Sequence, residues 1–257
     1  MKISAICATA ALALSSVILV SRSSASKRSI SSINDNPGFA VLELFTSEGC
    51  SSCPPADELV ARIQKEAGDK PVYVLAYHVD YWNRLGWKDA FSQPEFSKRQ
   101  YQYHRLFSSQ VYTPQLIING NSEFVGSDEK VISDAVKQNL NGTPSDSLNI
   151  KAQQQNGRLK LDYEIKGKAS GNQLVVAIVQ KHATSKVNAG ENEGRILSHV
   201  QIVRSLQTFD LKSGQSGTQN IQLPADFNST EWEVIGLIQN SDTGVISAAA
   251  RAALEQK

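Results

Sequence analysis

The stretch that decides the fold is a strand-like segment that leads into a pair of cysteines. It reads Val41-Leu42-Glu43-Leu44-Phe45-Thr46-Ser47-Glu48-Gly49-Cys50-Ser51-Ser52-Cys53-Pro54-Pro55-Ala56-Asp57. Its apolar first half favours a strand, and the two prolines that follow the cysteines suit the start of a helix. Cysteines three positions apart in such a turn can form a disulfide, which needs Cα atoms roughly 4.4–6.8 Å apart. A Cys-x-x-Cys pair beside a strand–helix–strand pattern is typical of redox sites, so Cys50 and Cys53 are the predicted catalytic residues.

The N-terminal residues predict export. A basic residue, Lys2, precedes an apolar run from Ile3 to Val20, and small residues follow at positions 23–25. This is the pattern of a cleaved signal peptide, predicted here over residues 1–25, although about 18 apolar residues could also remain as an anchor. Cleavage removes Cys7 and leaves the Cys-x-x-Cys pair as the only cysteines. We therefore predict a secreted or periplasmic protein with no stable membrane span after cleavage.

The composition of the chain argues against a nucleic-acid partner. The 257 residues include 26 Lys and Arg against 25 Asp and Glu, which gives a formal net charge of +1. A nucleic-acid-binding protein usually carries a clear basic surplus. The length suits two modest domains or one large one.

The segment after the cysteines predicts an alternation of helix and strand. Apolar residues recur at helical spacing from Asp57 to Ala67, and Gly68 ends that pattern. Val72–Val79 is a nearly continuous apolar run of the kind found in buried strands. Strand, helix and strand in this order predict a right-handed βαβ unit with a parallel strand pair. Regular helix is expected to begin only near Pro55.

Residues 81–109 are interpreted as an insertion. Ser97–Phe107 within it is predicted to be a helix. Tyr81, Trp82 and Trp87 lie near its start, where they could form a docking surface for an extended substrate or pack together locally.

The next part of the chain predicts a hairpin and a closing helix. Leu116–Ile118 is a short predicted strand preceded by Thr113-Pro114, and Asn119-Gly120 favours a hairpin turn. Ser127 is the predicted cap of a helix that ends near Leu140.

From residue 146 onward the pattern changes to short alternating runs separated by turn residues. These runs are Leu148–Ala152, Leu159–Ile165, Leu174–Val179, Ile196–Leu206, Ile221–Leu223, Trp232–Ile238 and Val245–Ala250. Regularly spaced short strands predict an antiparallel sandwich. Ala248–Leu254 could instead form a terminal helix because alanine favours helices.

Four motifs carry a family resemblance. They are the segment Glu43–Asp57, His78-Val79-Asp80-Tyr81-Trp82, Leu85-Gly86-Trp87-Lys88-Asp89 and Tyr112-Thr113-Pro114-Gln115. With these motifs the chain resembles a secreted bacterial family of unknown function within the thioredoxin superfamily. The resemblance implies an α/β thioredoxin-like domain over residues 37–142, with an insertion around 81–109, followed by an all-β sandwich-like domain over residues 146–257.

The resemblance also implies roles for individual residues. Cys50 would be the attacking thiol and Cys53 the resolving thiol, with no cofactor beyond their redox-active disulfide. Thr113 and Pro114 would be joined by a cis peptide bond and would contact substrate across a groove from the cysteines. Gly49 replaces the tryptophan that usually precedes the motif, so a more open site is expected.

A second departure concerns the acid that helps deprotonate the second cysteine. Leu44 stands where thioredoxins place that buried acid, and Glu43 should point to the opposite face of the sheet. Glu48 or Asp57 could assist proton transfer instead, although solvated surface acids are the simpler interpretation. Cys50 is expected to be the exposed thiol and Cys53 the shielded one.

The second half of the chain has one feature that suggests chemistry. Gly190–Arg195 holds two acids among glycines, and His199 follows shortly after. Oxygen ligands of this kind can bind a cation, but the acid spacing of a calcium loop is absent, so a solvated turn is expected.

Three hypotheses for function remain open. The first is an exported thiol–disulfide oxidoreductase that acts on exported proteins carrying thiols or disulfides and depends on a separate redox partner. The second is copper or zinc binding through Cys50, Cys53 and one of His78 or His104, although no second Cys-x-x-Cys completes a zinc site. The third is a non-catalytic module that binds a partner protein.

Overall fold

The computed structural model describes residues 37–155, 157–211 and 215–255. The predicted signal peptide at residues 1–25 lies outside the described residues. Across the described ranges, no helix is long and apolar enough to cross a membrane.

The described residues form three α-helices and twelve strands. The helices are α1 (Pro54–Ala67), α2 (Pro94–Phe107) and α3 (Glu129–Leu140), with a short 3-10 helix at Asn83–Leu85. The strands are β1 (Ala40–Thr46), β2 (Val72–His78), β3 (Gln115–Ile118), β4 (Ser122–Val125), β5 (Ser147–Gln155), β6 (Arg158–Lys166), β7 (Asn172–Lys186), β8 (Ile196–Asp210), β9 (Ser216–Gln222), β10 (Trp232–Asn240), β11 (Ile246–Arg251) and β12 (Ala253–Glu255). The chain is therefore a mixed α/β protein rich in sheet.

Most strands belong to one eight-stranded mixed sheet. Its order is β11-β10-β7-β8-β2-β1-β3-β4, and a second sheet has the order β12-β5-β6-β9. β1 and β2 pair in parallel from Ala40 opposite Val72 to Thr46 opposite His78, which confirms the predicted parallel pair. β3 runs antiparallel to β1 and forms the predicted hairpin with β4.

Helices cover both faces of the sheet around β1. Leu44 packs in a core cluster with residues of α1 and α3, whereas Phe45 packs on the other face with residues of α2. Every residue of β1 is buried because both faces are covered. Glu43 lies on the α2 face, where Arg99 Nε donates to its Oε1 at 2.6 Å and Tyr103 donates to its Oε2. The prediction that Glu43 and Leu44 face opposite sides is confirmed.

The predicted boundary between residues 142 and 146 separates two core clusters but divides a third. One cluster draws its buried residues from 40–136 and another from 150–248. The third combines residues from both halves, such as Phe45 with Val203. β2 and β8 also pair in parallel, with Ala76 opposite Ile202, so the large sheet continues across the boundary. Separate folding of residues 146–257 stays a prediction.

The second half consists of strands, as its sequence pattern indicates. β7 and β8 form a long antiparallel pair, and the smaller sheet packs over the face of β7 and β10 that carries Leu174 and Val234. The helix considered for Ala248–Leu254 is wrong, because β11 pairs with β10 and β12 pairs with β5.

The start of α3 differs from the prediction by one residue. Asp128, not Ser127, is the N-cap, and its Oδ1 accepts a hydrogen bond of 3.4 Å from the amide of Val131. Both residue types can cap a helix, so the sequence pattern alone does not separate them.

Candidate functional site

Cys50 and Cys53 form a disulfide at the junction between β1 and α1, with their Cα atoms 5.4 Å apart. Backbone hydrogen bonds shape the turn: the Cys50 amide donates to the Ser47 carbonyl oxygen at 3.1 Å, and the Cys53 amide donates to that of Cys50 at 3.2 Å. α1 begins at Pro54, one residue earlier than predicted, because proline at the first helical position has no amide hydrogen to leave unpaired. Cys53 is therefore the N-cap residue, and Cys50 lies just before the helix.

Both cysteines are fully buried, so the expectation of an exposed Cys50 is wrong for this disulfide form. A loop from the second half of the chain, residues 187–195 between β7 and β8, lies against the cysteine turn; we call it the covering loop. Asn192 donates from Nδ2 to the carbonyl oxygens of Glu48 and Cys50, each at 2.9 Å. Glu191 Oε2 accepts hydrogen bonds from the Ser51 amide at 3.0 Å and from Ser51 Oγ at 2.7 Å.

The covering loop has an internal framework that holds Asn192 in place. The Val187 amide donates to the Arg195 carbonyl oxygen at 2.9 Å, and Arg195 Nη1 donates to Asn192 Oδ1 at 2.8 Å. All the polar groups of the Asn192 side chain are thus engaged, which allows it to be buried. Gly190–Arg195 is therefore not the simple solvated turn that was predicted, because Asn192 within it is buried against the cysteine turn.

Trp82 fills the space beside Gly49. A Cβ atom added to Gly49 would lie 3.4 Å from Trp82 Cβ, and the neighbouring Cys50 is fully buried, so the expectation of a more open site is wrong. Trp82 Nε1 also donates to Thr113 Oγ1 at 2.8 Å. The Thr113–Pro114 bond is cis, as the resemblance implies. Trp82 therefore connects Thr113 to the turn that carries Cys50, and the local-packing interpretation of this aromatic residue is supported.

A cluster of four buried side chains lies beside the cysteine turn: Glu48, His78, Asp89 and His199, which we call the buried polar cluster. His78 Nδ1 lies 2.7 Å from Asp89 Oδ2, and the same oxygen accepts the Glu48 amide at 2.8 Å. His199 Nε2 lies 3.4 Å from Glu48 Oε1, and the two imidazole rings are 4.8 Å apart between centroids. Trp87 Nε1 donates to Glu48 Oε2 at 2.7 Å. The prediction of Glu48 as a solvated acid is wrong.

The charges in the buried polar cluster stabilise one another. Burial and the charge of Asp89 act to raise the pKa of Glu48, but its interactions with His199, Ser185 and Trp87 hold it below its ordinary value. Burial likewise acts to raise the pKa of Asp89, yet the charge and hydrogen bond of His78 lower it. Burial lowers the pKa of His78, and the neighbouring Asp89 more than offsets this, so that it lies above its ordinary value. The acids are therefore ionised at neutral pH beside a histidine that readily holds a proton.

Asp57 is a further buried acid at this site. Its Oδ2 accepts a hydrogen bond of 3.3 Å from Thr46 Oγ1, and the residue is 9% exposed. Burial raises the pKa of Asp57 to about 6, although His199 and His78 act to lower it. The interpretation of Asp57 as a solvated surface acid is wrong.

A family model described as a protein of unknown function, DUF1223, matches residues 41–239. This range includes the cysteine turn, the covering loop and all four residues of the buried polar cluster. The chain belongs to the DUF1223 family. No curated protein matches this DUF1223 chain.

Two solved structures are similar to this DUF1223 protein to very different degrees. A crystal structure of an Agrobacterium tumefaciens protein is 28% identical, with a TM-score of 0.66, and the match covers 85% of this chain and 97% of that one. A domain of the outer membrane lipoprotein Omp28 from Porphyromonas gingivalis is 10% identical, covers 44% of this chain and 89% of its own, and has a TM-score of only 0.25. The first similarity supports the overall fold described here.

The site of this DUF1223 protein contains residues that sequence reasoning did not assign to it. Asn192, His199, Asp89 and Trp87 all contact the cysteine turn or the buried polar cluster. Asp89 and Trp87 belong to a motif that the resemblance highlighted, which was a usable signal. Asn192 and His199 belong to the one segment of the second half that suggested chemistry, but nothing in the sequence linked that segment to the cysteine turn, because Asn192 is 142 residues from its partner Cys50.

The two histidines considered as metal ligands have different environments. His78 belongs to the buried polar cluster, whereas His104 Nδ1 donates to the carbonyl oxygen of Ser109. Within the described ranges of this disulfide form, no three or more His, Cys, Asp or Glu side chains are grouped as they would be around a metal ion.

Proposed function

We propose that this DUF1223 protein is an exported thiol–disulfide oxidoreductase whose residues 37–142 form a thioredoxin-like domain. The dithiol of Cys50 and Cys53 would exchange with exported proteins that carry thiols or disulfides. A separate redox partner would return it to its starting state, and no diffusible cofactor is needed. Export is inferred from the N-terminal leader.

The observation that carries the proposal is the position of the Cys50–Cys53 disulfide. It lies in the turn between β1 and α1, beside buried ionisable groups that can take up and release protons. Unpaired amides at a helix start favour a thiolate, which is the reactive form of cysteine. Because these are the only cysteines after residue 7, a structural disulfide network is not their purpose.

The exchange proceeds in two balanced steps. The Cys50 thiolate attacks one sulfur of a substrate disulfide, a mixed disulfide forms, and the other substrate sulfur leaves as a thiolate. Cys53 then attacks the Cys50 sulfur, the Cys50–Cys53 bond forms, and the remaining substrate thiolate leaves. The protein loses two electrons to the substrate, and the reverse sequence oxidises a substrate dithiol.

Trapping of the mixed disulfide tests this function. We expect the Cys53→Ala variant to accumulate disulfide-linked exported proteins, because Cys50 can attack but nothing resolves the product. The matched Cys50→Ala variant should accumulate none. Mass spectrometry of the trapped species would identify the substrates. If neither variant traps a protein and the purified wild type does not cycle with a dithiol and a disulfide reagent, the proposal fails.

Metal binding is the second candidate, and one observation favours it. His78 Nδ1 donates to Asp89 Oδ2, while the buried Nε2 of His78 has no hydrogen-bond partner among the described residues. A histidine held by a carboxylate in this way is common at metal sites. Reduced Cys50 and Cys53 could supply thiolates to copper or zinc. Elemental analysis of the reduced protein after incubation with each metal would separate this function from redox exchange.

A further inference from the structure

The resolving step of the proposed reaction needs a proton acceptor near Cys53. A thiol must lose its proton to attack a disulfide, and Cys53 is fully buried, so water does not reach it freely. β1 supplies no such acceptor: Leu44 packs toward α1, and Glu43 faces the other side of the sheet in contact with Arg99.

Asp57 lies one helical turn after Cys53, which is the right spacing for such an acceptor. Its amide donates to the carbonyl oxygen of Cys53 at 3.1 Å, so the two residues are one helical turn apart on the same face. Side chains with this spacing are neighbours, with Cβ atoms about 5–6 Å apart. Thr46 Oγ1 donates to Asp57 Oδ2 and fixes the carboxyl group from the end of β1.

The groups around Asp57 leave it basic enough for this role. His78 of β2 and His199 of β8 act to lower its pKa, while burial and the charge of Asp89 act to raise it. The outcome is a pKa of about 6, so the carboxylate is ionised at neutral pH and is a stronger base than a surface acid. A base with a pKa near the working pH is effective in proton transfer.

We propose that the Asp57 carboxylate accepts the thiol proton of Cys53 as Cys53 attacks the mixed disulfide, an assignment that rests on the proposed oxidoreductase function. The Cys53 sulfur forms a bond to the Cys50 sulfur, the bond between Cys50 and the substrate sulfur breaks, and the substrate leaves as a thiolate. In the reverse direction, protonated Asp57 returns its proton to the Cys53 sulfur as that sulfur leaves.

The test measures how fast the resolving step occurs as a function of pH. Reduced protein is mixed with oxidised glutathione, quenched in acid at set times, and the glutathione mixed disulfide and the internal disulfide are separated by mass spectrometry. In the wild type, the resolution rate should rise through about pH 6, the pKa of Asp57, and then level off. In Asp57→Asn it should be roughly 100-fold slower at pH 7 and keep rising with pH, so that the two rates converge in alkali.

Three further variants separate a proton-transfer role from a structural one. Glu58→Gln makes the same acid-to-amide change at the adjacent exposed position and should leave the profile unchanged. Asp57→Glu keeps the carboxylate and should restore part of the rate. Thr46→Val removes the hydrogen bond that lowers the pKa of Asp57, so the midpoint of the profile should move to higher pH.

Each outcome has a distinct meaning. If the wild type forms neither the mixed nor the internal disulfide, the proposed function itself fails. If the wild type cycles but Asp57→Asn keeps the same rate and profile, or loses the same factor at every pH, Asp57 is not the base. If Asp57→Asn does not fold, Thr46→Val provides the test. An unchanged midpoint in the pH profile of its resolution rate would overturn the assignment.

Discussion

The side chain of Asn192 donates a hydrogen bond of 2.9 Å to the carbonyl oxygen of Cys50, across a separation of 142 residues. This contact attaches the covering loop of the second half of the chain to the cysteine turn of the first. Cys50 is fully buried beside this contact, although it lies in a turn that follows a strand. Under the proposed function, we expect a large substrate to reach Cys50 only after the covering loop moves.

Weakening this attachment should expose the disulfide. Asn192→Ala removes two hydrogen bonds to the cysteine turn, each worth about 1 kcal/mol, so opening of the covering loop should become roughly 10–30-fold more frequent. The rate of reduction by a small dithiol should rise by a similar factor in a stopped-flow assay. Glu193→Gln, an exposed change in the same loop, is the control and should react like wild type. Equal rates for all three proteins would contradict a covering role.

The ion pair between Arg99 and Glu43 should contribute strongly to stability. Both side chains are buried, so Arg99→Met leaves the Glu43 charge without its partner and should lower the free energy of unfolding by about 3–5 kcal/mol. Arg62→Met removes an exposed ion pair with Glu129 and should cost at most about 1 kcal/mol. Urea denaturation of the wild type and of both variants measures these changes in the free energy of unfolding. A loss below about 1 kcal/mol in Arg99→Met would show that the buried pair is not needed.

The pair of Asp89 and His78 should make stability depend on pH at both ends of the range. The folded-state pKa of Asp89 is below 3.8, so its contribution is present above that value and is lost as pH falls through the lowered pKa. The folded-state pKa of His78 is above 6.5, so its contribution is present below that value and is lost as pH rises through the raised pKa.

Substitution of one partner tests this dependence. Asp89→Asn should lower the free energy of unfolding by about 3 kcal/mol at pH 6, because a buried ion pair is broken. It should also flatten the pH dependence at both ends, which denaturant titrations from pH 3 to pH 9 would reveal. Lys88→Gln, an exposed change at the preceding residue, serves as the control. If the free energy of unfolding of Asp89→Asn changes with pH as it does in the wild type, the pair is not charged in the folded protein.

Asp57→Asn should stabilise the disulfide form while it slows the resolving step. The pKa of Asp57 rises from 3.8 to about 6 on folding, so between these values the folded state binds more protons and stability falls as pH rises. The difference of about two pKa units corresponds to about 3 kcal/mol of destabilisation at neutral pH, which the amide avoids. The melting temperature of Asp57→Asn should therefore be higher than that of the wild type at pH 7, and the difference should disappear near pH 3. A variant less stable than wild type at pH 7 would contradict this.

Much of the fold could be predicted from the sequence because the local patterns agree with the final structure. The apolar run before Cys50, the helical spacing after Asp57 and the turn at Asn119-Gly120 each correspond to an observed element. The alternating runs after residue 146 correspond to strands for the same reason. The sheet that continues from β2 to β8 could not be foreseen, since strand pairing between distant segments leaves no periodic signal.

The site was predicted only in its local part. Cys50 and Cys53 are three positions apart, which is a recognisable spacing, so the disulfide was foreseen. The burial of Glu48 and Asp57 was not foreseen, because isolated acids are usually solvated. Their buried state depends on contacts with His199 and Thr46. The covering loop was misjudged for the same reason, as its polar residues bind a surface that its own sequence does not reveal.

The distance in sequence between Cys50 and Asn192 sets an order of events during synthesis. A chain that emerges from its N-terminus displays both thiols well before the covering loop has been made. Oxidants, metals or assisting enzymes in the surrounding compartment can therefore meet the cysteine pair during a period that ends when β7 and β8 form. The first redox state of the pair is thus set before the covering loop contacts the cysteine turn, and any later exchange requires that loop to open.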